Sequence, residues 1–482
     1  MSFIFPTNTT IELVKAVDNA SGHFLNKNTS LYIKIKEQLN YKYHKSVIKL
    51  AQCSRNLVEN VYGPNVLFLS NTDGGFAKRG LTILNKNQQQ YYEQLNYVDL
   101  MINEQNLANG KLNIFSHELA HVKMSNILPE LKEGKSTMQH LSVAITDENT
   151  AFIEGFAIQF ERFAYDNVKL YRDLFNKDNN NEQIIKLWQS ELDSGNRING
   201  VVDNRFIYQK VNLNNIKQQS KLVNKLILEH TSPMFNKLKL KNAQQLLACE
   251  GVIATLFYRI NSNDKLQNNY LEASFYNHFT VRDIPNNLAI KDIFTPFENV
   301  ILKNLWVLYQ MRDNYKNKSL MINFIETWIS CFPQDKQELI NIFTSTTLGK
   351  TVDNSLSDIY EQLAYAGMIG DIAKTRIYIK QFKDCLQNIC EKVTLNELKI
   401  DNNVGKELWL MSNIQVPVCF WQSETKPLNV NVNTASAYML MAAYNISYDK
   451  ALNIINRRNK QGYFTCINEI NLDNIALEYS VF

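Results

Sequence analysis

The ten residues Asn113-Ile-Phe-Ser-His-Glu-Leu-Ala-His-Val122 constrain the fold more than any other stretch, because what they can do chemically depends on being helical. Four residues advance a helix by about 6 Å and about 400°, so His117 and His121 project from nearly one face. Two imidazoles so placed can both reach one Zn²⁺ at about 2.0–2.1 Å. Glu118 stands one position on, too far round to be a ligand yet close enough to touch a water at the metal, which suits a general base. Ile114, Phe115, Leu119 and Val122 would anchor this helix in a core. With 7 His in 482 residues, the pattern arises by chance roughly once in a few hundred such chains. A third ligand has to decide.

The segment Asp147-Glu148-Asn-Thr-Ala-Phe-Ile-Glu154-Gly155-Phe156-Ala157 supplies one, Glu154 lying 33 positions past His121 (154 − 121). Asp147 is expected to cap a helix running to about Tyr165. Two other acids compete. Glu161 shares the face of Glu154 but lies about 10 Å further along the axis, and Glu148 is about 600° away and points elsewhere.

Together these segments resemble the gluzincin peptidases, especially the aminopeptidase N-like families. Their third zinc ligand is the Glu of a Glu-Gly-Phe/Leu-Ala segment on the helix after the one bearing His-Glu-x-x-His. The resemblance implies a zinc metallopeptidase with one Zn²⁺ per chain, held by His117, His121 and Glu154, with Glu118 as general base. It also implies a peptide or protein substrate. It covers about residues 65–260, with the strong motifs confined to 113–122 and 147–161. The small residues Gly155 and Ala157 would let the two metal-bearing helices approach closely. The Gly-x-Met-Glu-Asn segment that recognises a free amine is missing ahead of His117, which favours an endopeptidase-like groove or an unusual substrate over an aminopeptidase. Tyr208 and His230 stand at suitable distances for the oxyanion-stabilising residue, and nothing local separates them. Cys249-Glu250-Gly251 opens an apolar helix that either packs behind the site or adds an acid beside it.

The expected class is mainly α with a small antiparallel sheet, α+β, built on a thermolysin-like peptidase core. Residues 1 to about 60 read as helical, with Asn28 or Ser30 capping a segment that reaches Tyr62. Val66–Leu69, Leu81–Leu84 and Tyr97–Ile102 read as three strands. In the resemblance an edge strand holds extended substrate, and Tyr97–Ile102 is the candidate. Helices follow to about residue 345, interrupted by a polar loop at Lys177–Glu182, and residues 346–425 read as helical and then irregular. The expected domains are 1–64, an N-terminal helical segment; 65–345, the metallopeptidase domain; 346–426, a connecting segment; and 427–482, a separate unit.

That last unit runs through Asn433-Thr434-Ala435, a helix at Ala437–Ala443, the turn Tyr444–Ser447, a second helix to Arg458, and Gly462-x-Phe464. It resembles the helix-hairpin-helix units of bacterial DNA-uptake receptors and of the minor pseudopilin of type II secretion. DNA-binding versions place Gly-apolar-Gly at the hairpin so that bare N–H groups meet a phosphate. Here the hairpin is Asn445-Ile446-Ser447, and Arg457, Arg458 and Lys460 supply the nearby charge. A protein-interaction or structural role is therefore expected ahead of a weak DNA contact.

Bulk properties exclude little. A net charge of +4 gives no strong pointer to nucleic acid, and no membrane partner is expected. The first twenty residues show neither the basic nor the apolar region of a secretion signal. The seven cysteines form no Cys-x-x-Cys pair. These features lead to the expectation of a cytoplasmic protein with reduced thiols, export by a non-standard route being the alternative.

Overall fold

The computed structural model describes residues 10–59, 63–85, 88–132, 134, 145–171, 173, 241–417, 425–470 and 478–481. They divide into two compact units, the first drawn from 1–132, 156–187 and 258–316, and the second from 133–155, 188–257 and 317–482. The class is the α+β one expected.

The first unit begins with strands β1 (Ile11–Ala16) and β2 (Ser21–Phe24), where a helical segment was expected. Ile11, Leu13 and Val14 are all buried, and so short an apolar run looks the same in sequence whether helix or strand. Helices α1 (Ser30–Leu39) and α2 (Lys42–Leu57) come next. The cap of α1 is Thr29, whose hydroxyl accepts the Tyr32 N–H at 3.3 Å, and the expected single helix breaks at Asn40-Tyr41. Strands β3 (Asn65–Leu69), β4 (Gly75–Asn85) and β5 (Gln88–Leu100) complete a closed barrel of order β1-β2-β4-β5-β3. Val14, Val66, Phe68, Leu81, Ile83, Leu95 and Tyr97 pack as one buried apolar cluster of these strands.

The barrel is mixed and not simply antiparallel. β1–β2 and β4–β5 are antiparallel, whereas β1–β3, β2–β4 and β3–β5 are parallel. The chain reaches β3 from its parallel neighbour β1 by way of β2 and the helix pair α1–α2, a connection long enough for a parallel pairing. The same topology overturns the edge-strand expectation. Val98 of β5 pairs with Leu67 of β3 on one side and Ala77 of β4 on the other, so this stretch is interior. Among the described residues Gly75–Arg79 of β4 is paired with β5 alone, which leaves its other edge open.

A short helix α3 (Glu104–Ala108) and a 3₁₀ turn at Lys111–Ile114 lead into α4 (Phe115–Ile127), which packs on β4, β5 and α2. Helix α5 (Glu148–Asn167) starts in the second unit and ends in the first. Helix α6 (Ala243–Leu247) and most of α7 (Glu250–Asn261) belong to the second unit. The first unit is then completed by α8 (Asp264–Asn268), α9 (Ala273–Asn277), α10 (Ile290–Ile293) and α11 (Pro296–Met311), the last held by a Thr295/Glu298 capping box.

In the second unit Phe152 of α5, Phe257 of α7 and Phe324 of α12 (Leu320–Cys331) form an aromatic core with centroids 5.1–6.1 Å apart. Helices α13 (Lys336–Thr347), α14 (Ser355–Met368) and α15 (Ile372–Thr394) follow. The stretch expected to be irregular instead contains β6 (Leu408–Pro417), the centre of an antiparallel sheet with β7 (Thr425–Asn431) and β8 (Glu478–Val481). Helices α16 (Ala437–Tyr444) and α17 (Tyr448–Gln461) lie between β7 and β8 in the chain.

Candidate metal centre and helix-hairpin-helix unit

Gly110 takes the left-handed conformation (φ 80°) that turns the chain into the 3₁₀ segment before α4. Phe115, Leu119 and Val122 are then buried while His117 and His121 stay partly accessible, as the helical spacing predicts. Their Nε2 atoms are 3.1 Å apart, with ring centroids at 4.8 Å and planes at 77°. Two ligands on one tetrahedral zinc with bonds of about 2.05 Å stand about 3.3 Å apart. The pair therefore fits a shared ion. Glu154 completes the group, and one donor atom from each of the three residues lies within 4.8 Å of the others.

Glu161 does not join this cluster; its carboxylate lies 3.6 Å from Nδ1 of His117, the nitrogen away from His121. That distance is too long for a hydrogen bond, but it puts a carboxylate on the side of the ring away from His121. The spacing of seven from Glu154 showed the shared face but not the histidine between them. Glu148 faces the start of α12, where Ser319 Oγ and the N–H groups of Leu320 and Met321 donate to it. Burial, and then the Glu407 carboxylate nearby, hold Glu148 well above the usual carboxylate range. Asp147 caps α5 as expected, accepting the Thr150 N–H at 3.0 Å and its hydroxyl at 2.8 Å. Tyr208, His230 and the loop at 177–182 lie outside the described residues.

Glu118 is 8% exposed on α4. A Cβ added to Gly75, the first residue of β4, would sit 2.8 Å from Glu118 Oε1 and 2.9 Å from Ile114 Cδ1. A bare glycine is what leaves the carboxylate its room, and sequence reading had passed over it.

Gly155 works differently from the expectation. The helix it lets close in is α7, not the other metal-bearing helix, since a Cβ there would meet Ile253 Cβ at 2.7 Å and Ala254 N at 2.8 Å. This makes α7 a packing helix behind Glu154. Overpacking costs about 1–3 kcal/mol, and alanine's advantage of about 1 kcal/mol as a helix former offsets only part of it. Because one of the clashes is with a backbone atom, which cannot rotate away, the cost falls in the upper part of that range, and Gly155→Ala should lower stability by about 1–2 kcal/mol in denaturant titrations. A variant as stable as the wild type would mean that the two helices are not in contact there.

In the C-terminal unit the hairpin residues are all in use. Asn445 adopts φ 51°, Ile446 is buried, and Ser447 caps α17 by accepting the Lys450 N–H. Arg458 is not available to a phosphate: it is buried, and its guanidinium donates to the carbonyls of Val432 and Ala435 at 2.9 and 2.7 Å. Asn433 pairs reciprocally with the backbone of Phe464, which explains why these two positions go together. The unit is also tied to α6. Asn242 donates to the carbonyl of Asn433 at 2.9 Å, Gln245 to that of Thr434 at 3.3 Å, and Asn431 to the Gln244 side chain at 3.4 Å.

Among known proteins, the helix-hairpin-helix motif family matches residues 427–472. No curated protein and no solved structure matches the chain.

Proposed function

We propose that the protein is a zinc-dependent metallopeptidase of the gluzincin type. The observation that carries this reading is the convergence of His117, His121 and Glu154 to within 4.8 Å on two helices, with Glu118 beside them. A zinc ion bound by those three groups would act as a Lewis acid, polarising a carbonyl and bringing the pKa of water to about 7. Glu118 is placed to take the proton of the attacking water and to return it to the departing amine. Glu161 places a negative charge 3.6 Å from Nδ1 of His117, which favours a metal-bound ring. The open edge of Gly75–Arg79 begins at Glu118 and can pair with an extended peptide backbone.

A second reading is contact with DNA through the C-terminal unit, and the family match at 427–472 favours it. The engaged hairpin and the buried Arg458 weaken it. A structural role fits better, because the unit's carbonyls anchor α6.

The test is hydrolysis of an unfolded polypeptide by the zinc-loaded full chain. Cleavage should disappear with a chelator and return with added Zn²⁺. Zinc-loaded protein that cleaves neither unfolded polypeptides nor a diverse peptide library would sink the peptidase reading.

A further inference from the structure

The open stretch of β4 carries a group of side chains with no part in activating water. Side chains alternate along a strand, and a Cβ on Gly75 would meet Glu118 Oε1 at 2.8 Å, so Gly75, Ala77 and Arg79 face α4. Phe76 and Lys78 lie on the opposite face, the one shared by Asp99, which pairs with Phe76 across β4 and β5.

Phe76 is 40% exposed, which for a lone apolar side chain is ordinary. What distinguishes it is how the ring is held. It folds back over the turn before β4, where Gly74 has φ 122° and a Cβ would stand 2.9 Å from Phe76 Cζ. Lys78 Nζ lies 5.5 Å from the ring centroid, within cation–π range. Lys78 is fixed in turn by Asp99, a fully buried carboxylate 2.5 Å from it. Leaving that carboxylate unpaired would be costly, so the lysine is committed to it. The pair cancels its own charge, and Asp73 in the turn lies 3.7 Å from Lys111. The result is a positioned aromatic ring, half open to solvent, one residue from the glycine that touches Glu118.

We infer that Phe76 is a specificity-determining residue, whose ring packs against an aromatic or large aliphatic side chain of a peptide paired along Gly75–Arg79. The inference rests on the peptidase reading given above. A peptide on that edge lies about 4.8 Å from β4, and every second side chain stands on the Phe76 face. The one beside Phe76 is in cross-strand contact with the ring, the arrangement in which aromatic and branched side chains pair best. Its two neighbours in the peptide point to the α4 face. The preference therefore falls on one position of the substrate and skips the residues on either side.

The experiment gives the zinc-loaded full chain a diverse peptide library and reads which bonds are cut. In parallel, fluorescence anisotropy measures binding of labelled peptides that differ only in phenylalanine or serine at the selected position. Aromatic or large aliphatic residues should be enriched about three- to tenfold at one position relative to the cut, and the phenylalanine peptide should bind tighter by a similar factor. Phe76→Ser should remove both differences and Phe76→Tyr should keep them, and the ring is exposed enough for both variants to fold. Cleavage with no such position, or a preference that Phe76→Ser leaves as it was, would overturn this inference and leave the peptidase reading standing. A chain that cuts nothing yet binds the phenylalanine peptide through Phe76 would overturn the peptidase reading and support the role of the ring. Neither cleavage nor Phe76-dependent binding would overturn both.

Discussion

Alanine at His117, His121 or Glu154 should reduce bound zinc from about one ion per chain to near zero after dialysis, while Gln at Glu118 leaves the zinc in place. Each of the first three changes removes one of three protein donors whose atoms lie within 4.8 Å, and two donors do not make a tight zinc site. Glu118 sits on the same helix but outside that donor group, so its loss should appear in turnover, by about 10²–10⁴-fold for a general base. Glu161→Gln should fall between these cases, weakening zinc by about tenfold or less, because its carboxylate stands at 3.6 Å from Nδ1 of His117, an ion-pair distance and not a hydrogen bond. Zinc content by elemental analysis and turnover on one substrate separate the three behaviours. Wild type that binds no zinc on reconstitution would remove the basis of the site. Loss of zinc in Glu118→Gln equal to that in His117→Ala would show that Glu118 is a ligand and not a base.

The second large effect is expected from removing residues 427–482. The cut falls inside β7, so it takes away one neighbour of β6 and, with β8, the other. It exposes Leu408 and Leu410, whose apolar partners include Val430, Val432 and Leu440. It also strips hydrogen-bond partners from Asn242, Gln244 and Gln245, the last two nearly fully buried. A buried polar group left unsatisfied costs about 1–3 kcal/mol, and several together approach the whole stability of a typical domain. The truncated chain should therefore unfold at least about 10 °C lower than the full chain, or aggregate. Because α6 leads into α7, which packs on Gly155 beside Glu154, zinc affinity should fall with it. A truncated chain with unchanged melting temperature and zinc content would show that the unit is an independent attachment.

These two predictions rest on different kinds of information. The first was legible in the chain, because a spacing of four places His117 and His121 on one helical face whatever surrounds them. The Asp147 cap and the stripe of Phe115, Leu119 and Val122 were legible for the same reason, being relations within one helix. The helices at 437–444 and 448–461 could likewise be read from their local signals.

What the sequence did not reveal are relations between segments far apart in the chain. β1 and β6 are strands because of partners up to about seventy residues away, β3 for one and β8 for the other. Val98 is interior because two strands flank it, and no pattern within Tyr97–Ile102 records that. Arg458 looks like surface charge in sequence and is a buried clamp on Val432 and Ala435 in the fold. By itself, then, the sequence determined which side chains share a helix face, since that follows from 3.6 residues per turn. Only the tertiary structure decided that Glu161 faces His117, that Gly155 admits α7 and that Gly75 makes room for Glu118, because those contacts depend on how separate elements pack.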